Sequence, residues 1–347
     1  MSTSGCDSTS IAHWQTRSAA VAAPALGPVR WVPVGRDATV PVPVCNNDGQ
    51  VVLEAEGVRV GLFRASPGQP SFRFSGIPGE HIVVFQKGAV RLQRLGGRPY
   101  VADPLCAHFL DPDQIYFRDG LAAEHDWATW LGLQPALVAT LLGVEPVEER
   151  LRWPFHLAPV SAATYLLQCE LVAAIREGTA SRSLLERGAR LLACRAVAEA
   201  RRLGSRPGDE PAESAELVER ARALLVAKCT SNRAVADLAA ELGCSVSHLG
   251  RLLRRRFGAS PHGYRIQLRL RRALALLGEG APDLADLALA CGFASHSHFT
   301  TSFRAAFGIT PSSLRRRAAA ARLAELVSRL ERAGRGRGAA RSPVPGC

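Results

Sequence analysis

The sequence predicts an α+β chain: a small antiparallel β-barrel or jelly roll, then a helical segment, then an all-helical basic domain. Three observations predict it. Apolar residues alternate with period two between about Val29 and Leu133 and then change to three- and four-residue spacing. The pattern from Ala236 to Pro261 recurs from Ala285 to Pro311. The net charge of +12 over 347 residues is also one-sided. Residues 1–214 hold 21 Lys and Arg against 22 Asp and Glu, whereas residues 215–347 hold 22 against 9.

Composition narrows the class. With 47% hydrophobic and 21% charged residues the chain is ordinary globular material. No window carries the roughly 18 uninterrupted apolar residues of a membrane span. The run Ser18–Ala25 after Arg17 is too short and too poor in leucine for a secretory signal. Nine cysteines without a C-x-x-C pair suit a reducing cytoplasm better than a disulfide framework. The expectation is a cytoplasmic protein of several domains that meets no membrane. Of the 43 basic residues 41 are arginine, a bias that a GC-rich genome explains; the placement of the excess in the last 133 residues is what points to nucleic acid.

In chain order, residues 1–28 read as a disordered N-terminus and 29–133 as the barrel. Val58, Val60 and Leu62 alternate, as do Phe72 and Phe74; His81–Phe85, Val90, Leu92, Tyr100, Ile115 and Phe117 continue the series. Turn signals fall at Pro67-Gly68, Pro78-Gly79, Gly96-Gly97 and Asp111-Pro112. Residues 134–203 read as a helical segment whose two long helices, Pro159–Glu177 and Ser181–Leu203, form an αα-hairpin. Their apolar stripes exceed what one hairpin needs, which predicts a homodimer. Gly204–Ala212 (GSRPGDEPA) reads as a linker, set at 204–213, followed by a helical domain over 214–320, a helical extension over 321–334 and a disordered tail over 335–347.

The repeat is one helix–turn–helix unit used twice. In the first, Val235, Leu238, Ala239 and Leu242 form a stripe, Gly243 ends the helix and Ser245 caps the next, which buries Leu249, Leu252, Leu253 and Phe257. In the second, Leu284, Leu287, Ala288 and Cys291 form the stripe, Gly292 and Ser295 repeat the turn, and Phe299, Phe303 and Phe307 go inward. Ser260-Pro261 and Thr310-Pro311 each start a further helix. The first of these carries Arg265, Arg269, Arg271 and Arg272 and joins the two units.

These residues resemble the DNA-binding domain of AraC/XylS transcription regulators over Ala236–Arg317, most specifically in A-x-x-C-G-F-A-S-H-S-H-F-T-T-S-F-R-A-A-F-G-I-T-P-S-S-L-R from Ala288 to Arg315. The resemblance implies seven helices in two helix–turn–helix subdomains bridged by a long helix, with both recognition helices entering successive major-groove segments of double-stranded DNA. It implies base contacts from Ser247, Gly250 and Arg251 in the first recognition helix and from His296, Ser297, Thr300 and Thr301 in the second. Gly250 and Thr301 depart from the family pattern, so base readout leans on Arg251, whose guanidinium can pair with guanine. Arg254, Arg255 and Arg304 are expected on phosphates, and the charge of residues 215–317, 16 Lys and Arg against 7 Asp and Glu, predicts salt-dependent DNA binding by 215–320 alone.

The resemblance also implies a cupin-like sensor in the N-terminal half, a small-molecule effector at its mouth, and RNA polymerase as the partner of an activator, all in a bacterial, nucleoid-associated setting. No cofactor is expected. His81, Cys106, His108 and His125 are the residues a metal would use, yet their spacing fits ordinary core and loop positions better. Trp31, Phe63, Phe85, Tyr116 and Trp130 read as core aromatics rather than a ligand cage. Two other classes compete. A metal-dependent cupin-type enzyme fused to a DNA-binding domain would need convergent His, Glu or Asp ligands, and His-x-His spacing is absent. A DNA-repair alkyl acceptor would need a four-cysteine cluster, whereas Cys45, Cys106, Cys169 and Cys194 are far apart and read as unpaired. The chain therefore reads as a regulator and not an enzyme.

Overall fold

The computed structural model describes residues 29–33, 39–43, 50–65, 74–76, 80–112, 114–121, 126–145, 151–203, 212–280 and 283–338. Residues 1–28 and 339–347, expected to be disordered, lie outside these, as does most of the expected linker. A first unit ends at Cys45 and contains one antiparallel pair, β1 (Val29–Pro33) with β2 (Thr39–Pro43).

The second unit begins with strands. A six-stranded sheet has the order β12-β9-β6-β11-β4-β3, formed by Leu157–Pro159, Cys106–Leu110, His81–Gln86, Asp126–Leu133, Val58–Ala65 and Gln50–Ala55. A four-stranded sheet has the order β5-β10-β7-β8, formed by Phe74–Gly76, Ile115–Gly120, Val90–Arg94 and Pro99–Ala102. Each sheet has two free ends, so the strands do not close on themselves as the barrel reading required; the hairpin β7–β8 lies in the four-stranded sheet, whereas the next strand, β9, crosses to the six-stranded sheet and pairs with β6. Strand β12 was not expected. It pairs Leu157 with His108 and seals the β9 edge, and Trp153 and Phe155 just before it pack on Phe109 with ring centroids 5.1 and 4.7 Å away.

Helix α1 (Pro135–Leu142) follows the strands, then α2 (Ala162–Glu177) and α3 (Arg182–Leu203) form the predicted hairpin. Ser161 caps α2, and the Glu199 carboxylate on α3 accepts from Ser161 N at 2.9 Å and from Thr164 Oγ1 at 2.8 Å, which locks the two helices together. Helix α4 (Ala212–Ala227) opens the C-terminal part; α5 (Val235–Glu241), α6 (Val246–Phe257), α7 (Pro261–Gly278), α8 (Leu284–Ala290), α9 (His296–Phe307), α10 (Pro311–Arg316) and α11 (Ala319–Gly338) complete it. Helix α11 continues to Gly338, beyond Arg335 where a disordered tail was expected, because Leu323, Leu326, Val327 and Leu330 bury one face of it.

That burial explains the surplus apolar surface on α2 and α3. Helix α11 lies against both of them, Arg322 pairs with Glu170 at 2.8 Å, and the Glu177 carboxylate accepts the Ala319 N–H at 2.9 Å. The stripes expected to meet a second copy of the chain are covered within one chain, so they no longer argue for a dimer. Two apolar cores result. One runs from Val83, Phe85 and Phe109 through α2 and α3 to Phe299, Phe303 and Phe307 of the second helix–turn–helix unit. The other runs from Phe63, Leu92 and Tyr100 to Leu225, Leu238, Leu249 and Leu253 of the first. Each helix–turn–helix unit thus shares its core with strands of the N-terminal half. Among the described residues no helix is long and apolar enough to cross a membrane.

His108 is 1% exposed in β9, and burial first, then the nearby Arg118 and Arg94 charges, pushes its imidazole well below the usual histidine range. His81, buried against Trp153 with Nε2 at 3.1 Å from Leu151 O, is lowered as well, again chiefly by burial. Both rings are neutral in the fold and charge freely once unfolded. Stability is therefore fully present above the ordinary histidine pKa of about 6.5 and declines as pH falls below it. The urea midpoint should drop between about pH 7.5 and about pH 5.5, with a shallower decline in His108→Gln; an unchanged slope in that variant would remove His108 as the source.

Candidate nucleic-acid interface

Local chemistry builds each helix–turn–helix unit. In the first, Gly243 takes a φ of 69°, the left-handed turn between α5 and α6, and Ser245 Oγ accepts from His248 N at 3.1 Å to start α6. In the second, Gly292 takes a φ of 83°, and a Cβ there would lie 2.4 Å from Thr230 O, so no other residue fits. Ser295 Oγ accepts from His298 N at 3.2 Å and starts α9. Ser260 and Thr310 cap α7 and α10 in the same way. One cap went unread in the sequence: Asp283 accepts from Ala285 N at 2.6 Å and Asp286 N at 3.0 Å, lowering its own carboxylate pKa through those bonds. The Asp-x-x-Asp spacing before α8 was the available signal.

With the apolar faces of α6 and α9 turned inward, matching polar faces are left outside. Ser247, Arg251 and Arg254 stand at helical spacing on α6, and their counterparts Ser297, Thr301 and Arg304 stand on α9; all six are exposed. Arg255 and His296 are exposed beside them, and Thr300 is half-buried with Oγ1 3.5 Å from His296 Nε2. Gly250 differs. It is buried, and a Cβ there would come within 3.2 Å of Arg254 Nη1, so a guanidinium covers the backbone where a base contact was expected. Arg251 does not pair with Glu241. That carboxylate is held by Arg233 and by Lys228 at 3.2 Å, bonds that lower its pKa and leave the Arg251 guanidinium outward.

Part of the basic charge faces inward. Arg222, Arg265, Arg269 and Arg271, four of the sixteen basic residues in 215–317, are buried. On α7, Arg265 donates to Arg233 O, Arg269 to Cys229 O at 2.6 Å and Ser231 O at 2.7 Å, and Arg271 to Pro104 O and to Val160 O at 2.6 Å. These groups hold loops and do not reach phosphates. Sequence spacing alone cannot separate them from the outward arginines of α6, because their acceptors are backbone carbonyls far along the chain.

The residues weighed for a metal stand apart. His81 is bonded to Leu151, His108 lies between Val84 and Leu157 in the sheet, Cys106 Sγ is 3.5 Å from Arg222 Nη2, and His125 is outside the described residues. Among the described residues no three His, Cys, Asp or Glu side chains are grouped to hold a metal. Cys106, Cys169, Cys244 and Cys291 are free thiols, whereas Cys194 is disulfide-bonded, which corrects the reading of it as unpaired. Of the aromatics, Phe63, Phe85 and Tyr116 are core as expected, Phe63 and Tyr116 also line a hollow together with Trp130 and Arg118, and the Trp31 side chain lies outside the described residues.

Two recognition helices set by glycine turns and serine caps, each backed by its own core, define a double helix–turn–helix DNA-binding domain. The family comparison agrees: residues 238–317 match the model described as a helix-turn-helix domain. This C-terminal domain belongs to the AraC/XylS type. The chain is 34% identical over 97 residues to the uncharacterized HTH-type transcriptional regulator YidL of Escherichia coli strain K12, covering 28% of this chain and 33% of that protein. It is 34% identical over 79 residues to the HTH-type transcriptional activator RhaS of Klebsiella pneumoniae, covering 23% and 28%. The chain thus spans about a third or less of these curated relatives. Among solved structures, a Chromobacterium violaceum transcriptional regulator with an AraC-type DNA-binding domain is 34% identical over 30% of this chain and 94% of its own, with a TM-score of 0.29. ToxT from Vibrio cholerae is 16% identical over 75% of this chain and 97% of its own, with a TM-score of 0.31.

The free Arg251 guanidinium and the short Thr301 side chain at the equivalent site predict unequal helices. Arg251→Ala should cost about 1–3 kcal/mol of discrimination at one or two base pairs, with little effect on random DNA. Arg255→Ala should weaken all sequences about equally, and Thr301→Ala should cost less than Arg251→Ala. Binding titrations on cognate and scrambled duplexes, with circular dichroism melts, check this; equal loss on both duplexes together with a lowered melting temperature in Arg251→Ala would remove its base-reading role.

Proposed function

We propose that this chain is a sequence-specific DNA-binding transcription regulator, acting in the cytoplasm of a bacterium on double-stranded DNA, and an activator that recruits RNA polymerase. The observation that carries the reading is the pair of exposed, register-matched faces Ser247/Arg251/Arg254 and Ser297/Thr301/Arg304. Helix α7, which joins the two units, has 18 residues and is therefore about 27 Å long. That is close to the roughly 34 Å turn that separates successive major-groove segments on one face of DNA. Base contacts are assigned to Ser247, Arg251, His296, Ser297, Thr300 and Thr301, and phosphate contacts to Arg254, Arg255 and Arg304. Gly250 joins the base-reading set only if the Arg254 side chain swings aside. A second copy of the chain is a partner on adjacent DNA sites, not through α2 and α3.

An effector site at the hollow between the sheets, where Phe63, Tyr116 and Trp130 give apolar walls and Arg118 a cation whose guanidinium lies 4.0 Å from the Phe63 ring centroid, has to widen to admit a small molecule, since the enclosed space is about 40 Å³. No comparable observation favours an enzymatic reading.

Because both units share cores with the N-terminal half, the test uses the full chain and not residues 215–320. Selection from a random-sequence duplex pool should enrich one bipartite sequence, and log K on it should fall linearly with log salt. With Arg222, Arg265, Arg269 and Arg271 turned inward, the slope should reflect the outward arginines only. Failure to enrich any sequence, or a salt-independent affinity, would overturn the reading.

A further inference from the structure

The strongest polar cluster in the described residues lies away from the recognition faces, where the first DNA-binding unit meets the N-terminal sheets. Asp103, in the turn between β8 and β9, is 0% exposed, and so is Arg222 on α4. Arg222 Nη2 donates to Asp103 Oδ2 at 2.9 Å, Arg222 Nε donates to the Tyr264 hydroxyl at 3.0 Å, and that hydroxyl donates to the same Asp103 Oδ2 at 2.5 Å. Glu219, one turn before Arg222, accepts from Arg222 Nη1 at 3.1 Å and from the Val101 N–H of edge strand β8 at 2.6 Å. Arg271 of α7 donates to Pro104 O. Four of the five residues from the end of β8 through the turn, Val101, Asp103, Pro104 and Leu105, are thereby held by four side chains from α4 and α7 or braced by Asp103 itself, whose Oδ1 accepts the Leu105 N–H at 2.8 Å.

The cluster reaches the recognition helix in one step. The Arg222 guanidinium lies 4.7 Å from the centroid of the Phe257 ring, and the Tyr264 ring meets Phe257 edge-on at 5.5 Å. Phe257 is the last residue of α6. The second recognition helix is seated independently, with α9 against α2 and its phenylalanines in the core shared with α2 and α3. Both recognition helices are therefore tied to the N-terminal half, at different places, in addition to the α7 connection between them.

We propose that Asp103, a residue of the N-terminal sheets, is a positioning residue for DNA binding: through Arg222 and Tyr264 it fixes Phe257 and hence the orientation of α6 relative to α9, and so sets the half-site spacing the protein accepts. The proposal rests on the DNA-binding reading above. Physically, a buried ion pair contributes little net stability but strongly specifies one arrangement, since any other leaves a buried charge unmet. Two recognition helices held in register bind a bipartite site without the ordering cost that loosely joined ones incur. Inserting one base pair between the half-sites moves one segment by about 3.4 Å and rotates it by about 35°, which a fixed pair of helices cannot follow.

The test compares the full-length wild type with Asp103→Asn, which keeps the shape and removes the charge, and with Tyr264→Phe, which keeps the ring against Phe257 and removes only the hydroxyl. Affinities are measured for the duplex that the wild type selects from a random pool and for the same duplex with one base pair inserted at its centre. Both variants should bind the selected duplex about tenfold more weakly, and the ratio between the two duplexes should fall toward one. Amide exchange should rise at Val101 and along α4 and α6, with the α9 amides unchanged. If Asp103→Asn does not fold, Tyr264→Phe carries the same readouts. An unchanged ratio in a folded variant overturns the proposal, as does tighter binding to both duplexes, which would mean that the cluster restrains binding instead of positioning it. Should the wild type enrich no duplex, the DNA-binding reading fails and the positioning role with it; unchanged exchange in α4 and α6, by contrast, refutes the positioning role alone, with the DNA-binding reading intact.

Discussion

A guanidinium group taken out of water needs acceptors for its charge, and in this chain that requirement decides where the C-terminal helices sit. Arg222 finds Asp103, Tyr264 and Glu219; Arg269 finds the carbonyls of Cys229 and Ser231; Arg271 finds those of Pro104 and Val160 while its charge lies 4.7 Å from the Tyr165 ring centroid. Apart from Glu219 on α4 and Tyr264 on α7, these acceptors belong to the β8–β9 turn, the approach to α2 and the α4–α5 connection. Moving α4 or α7 away would leave charge buried without partners, a cost larger than most single apolar contacts supply. The apolar cores make the association favourable, and the arginines make it specific.

The same residue type does two different jobs in one domain. On α6 and α9, Arg251, Arg254, Arg255 and Arg304 are exposed, where a flexible cation can meet phosphate or a base edge. On α4 and α7 the guanidinium is a planar, multi-donor strut aimed at carbonyls. Net charge overstates the DNA-facing charge for this reason. The two units also diverge within the repeat. Arg251 in one corresponds to Thr301 in the other, and the first unit has Leu249 and Leu253 where the second has Phe299 and Phe303, with Phe257 and Phe307 common to both. The scaffold is duplicated; the outward polar faces are not.

Sharing of cores changes what the N-terminal half does. Strands, α2 and α3 cover the apolar backs of both helix–turn–helix units, so the units are not beads on a linker even though a Gly- and Pro-rich stretch precedes α4. The hollow bounded by Phe63, Tyr116, Arg118 and Trp130 also takes in Leu110, and Leu110 ends the strand whose first residue, Cys106, touches Arg222. Four residue steps of extended chain, about 13 Å, separate the two. A change of packing at the hollow is thus one short strand from the cluster that seats the first recognition helix.

Periodicity and caps were enough to read the local structure from the sequence. The period-two run, the stripes of α2 and α3, the glycine turns at Gly243 and Gly292 and the caps at Ser245, Ser260, Ser295 and Thr310 all depend on residues within a few positions of one another, and such chemistry is written in order along the chain. The outward faces of α6 and α9 followed from the same periodicity. What the sequence left open depends on partners far apart. Two open sheets in place of a barrel, β12 sealing the β9 edge, α11 covering the hairpin expected to dimerise, Gly250 beneath Arg254, and the bonds from Asp103 to Arg222 and Tyr264 join positions separated by up to 161 residues. Pairing of this kind is chosen by which surfaces remain uncovered after the local elements have formed, and by which acceptors lie within reach of a buried donor; neither is a property of any short stretch of sequence.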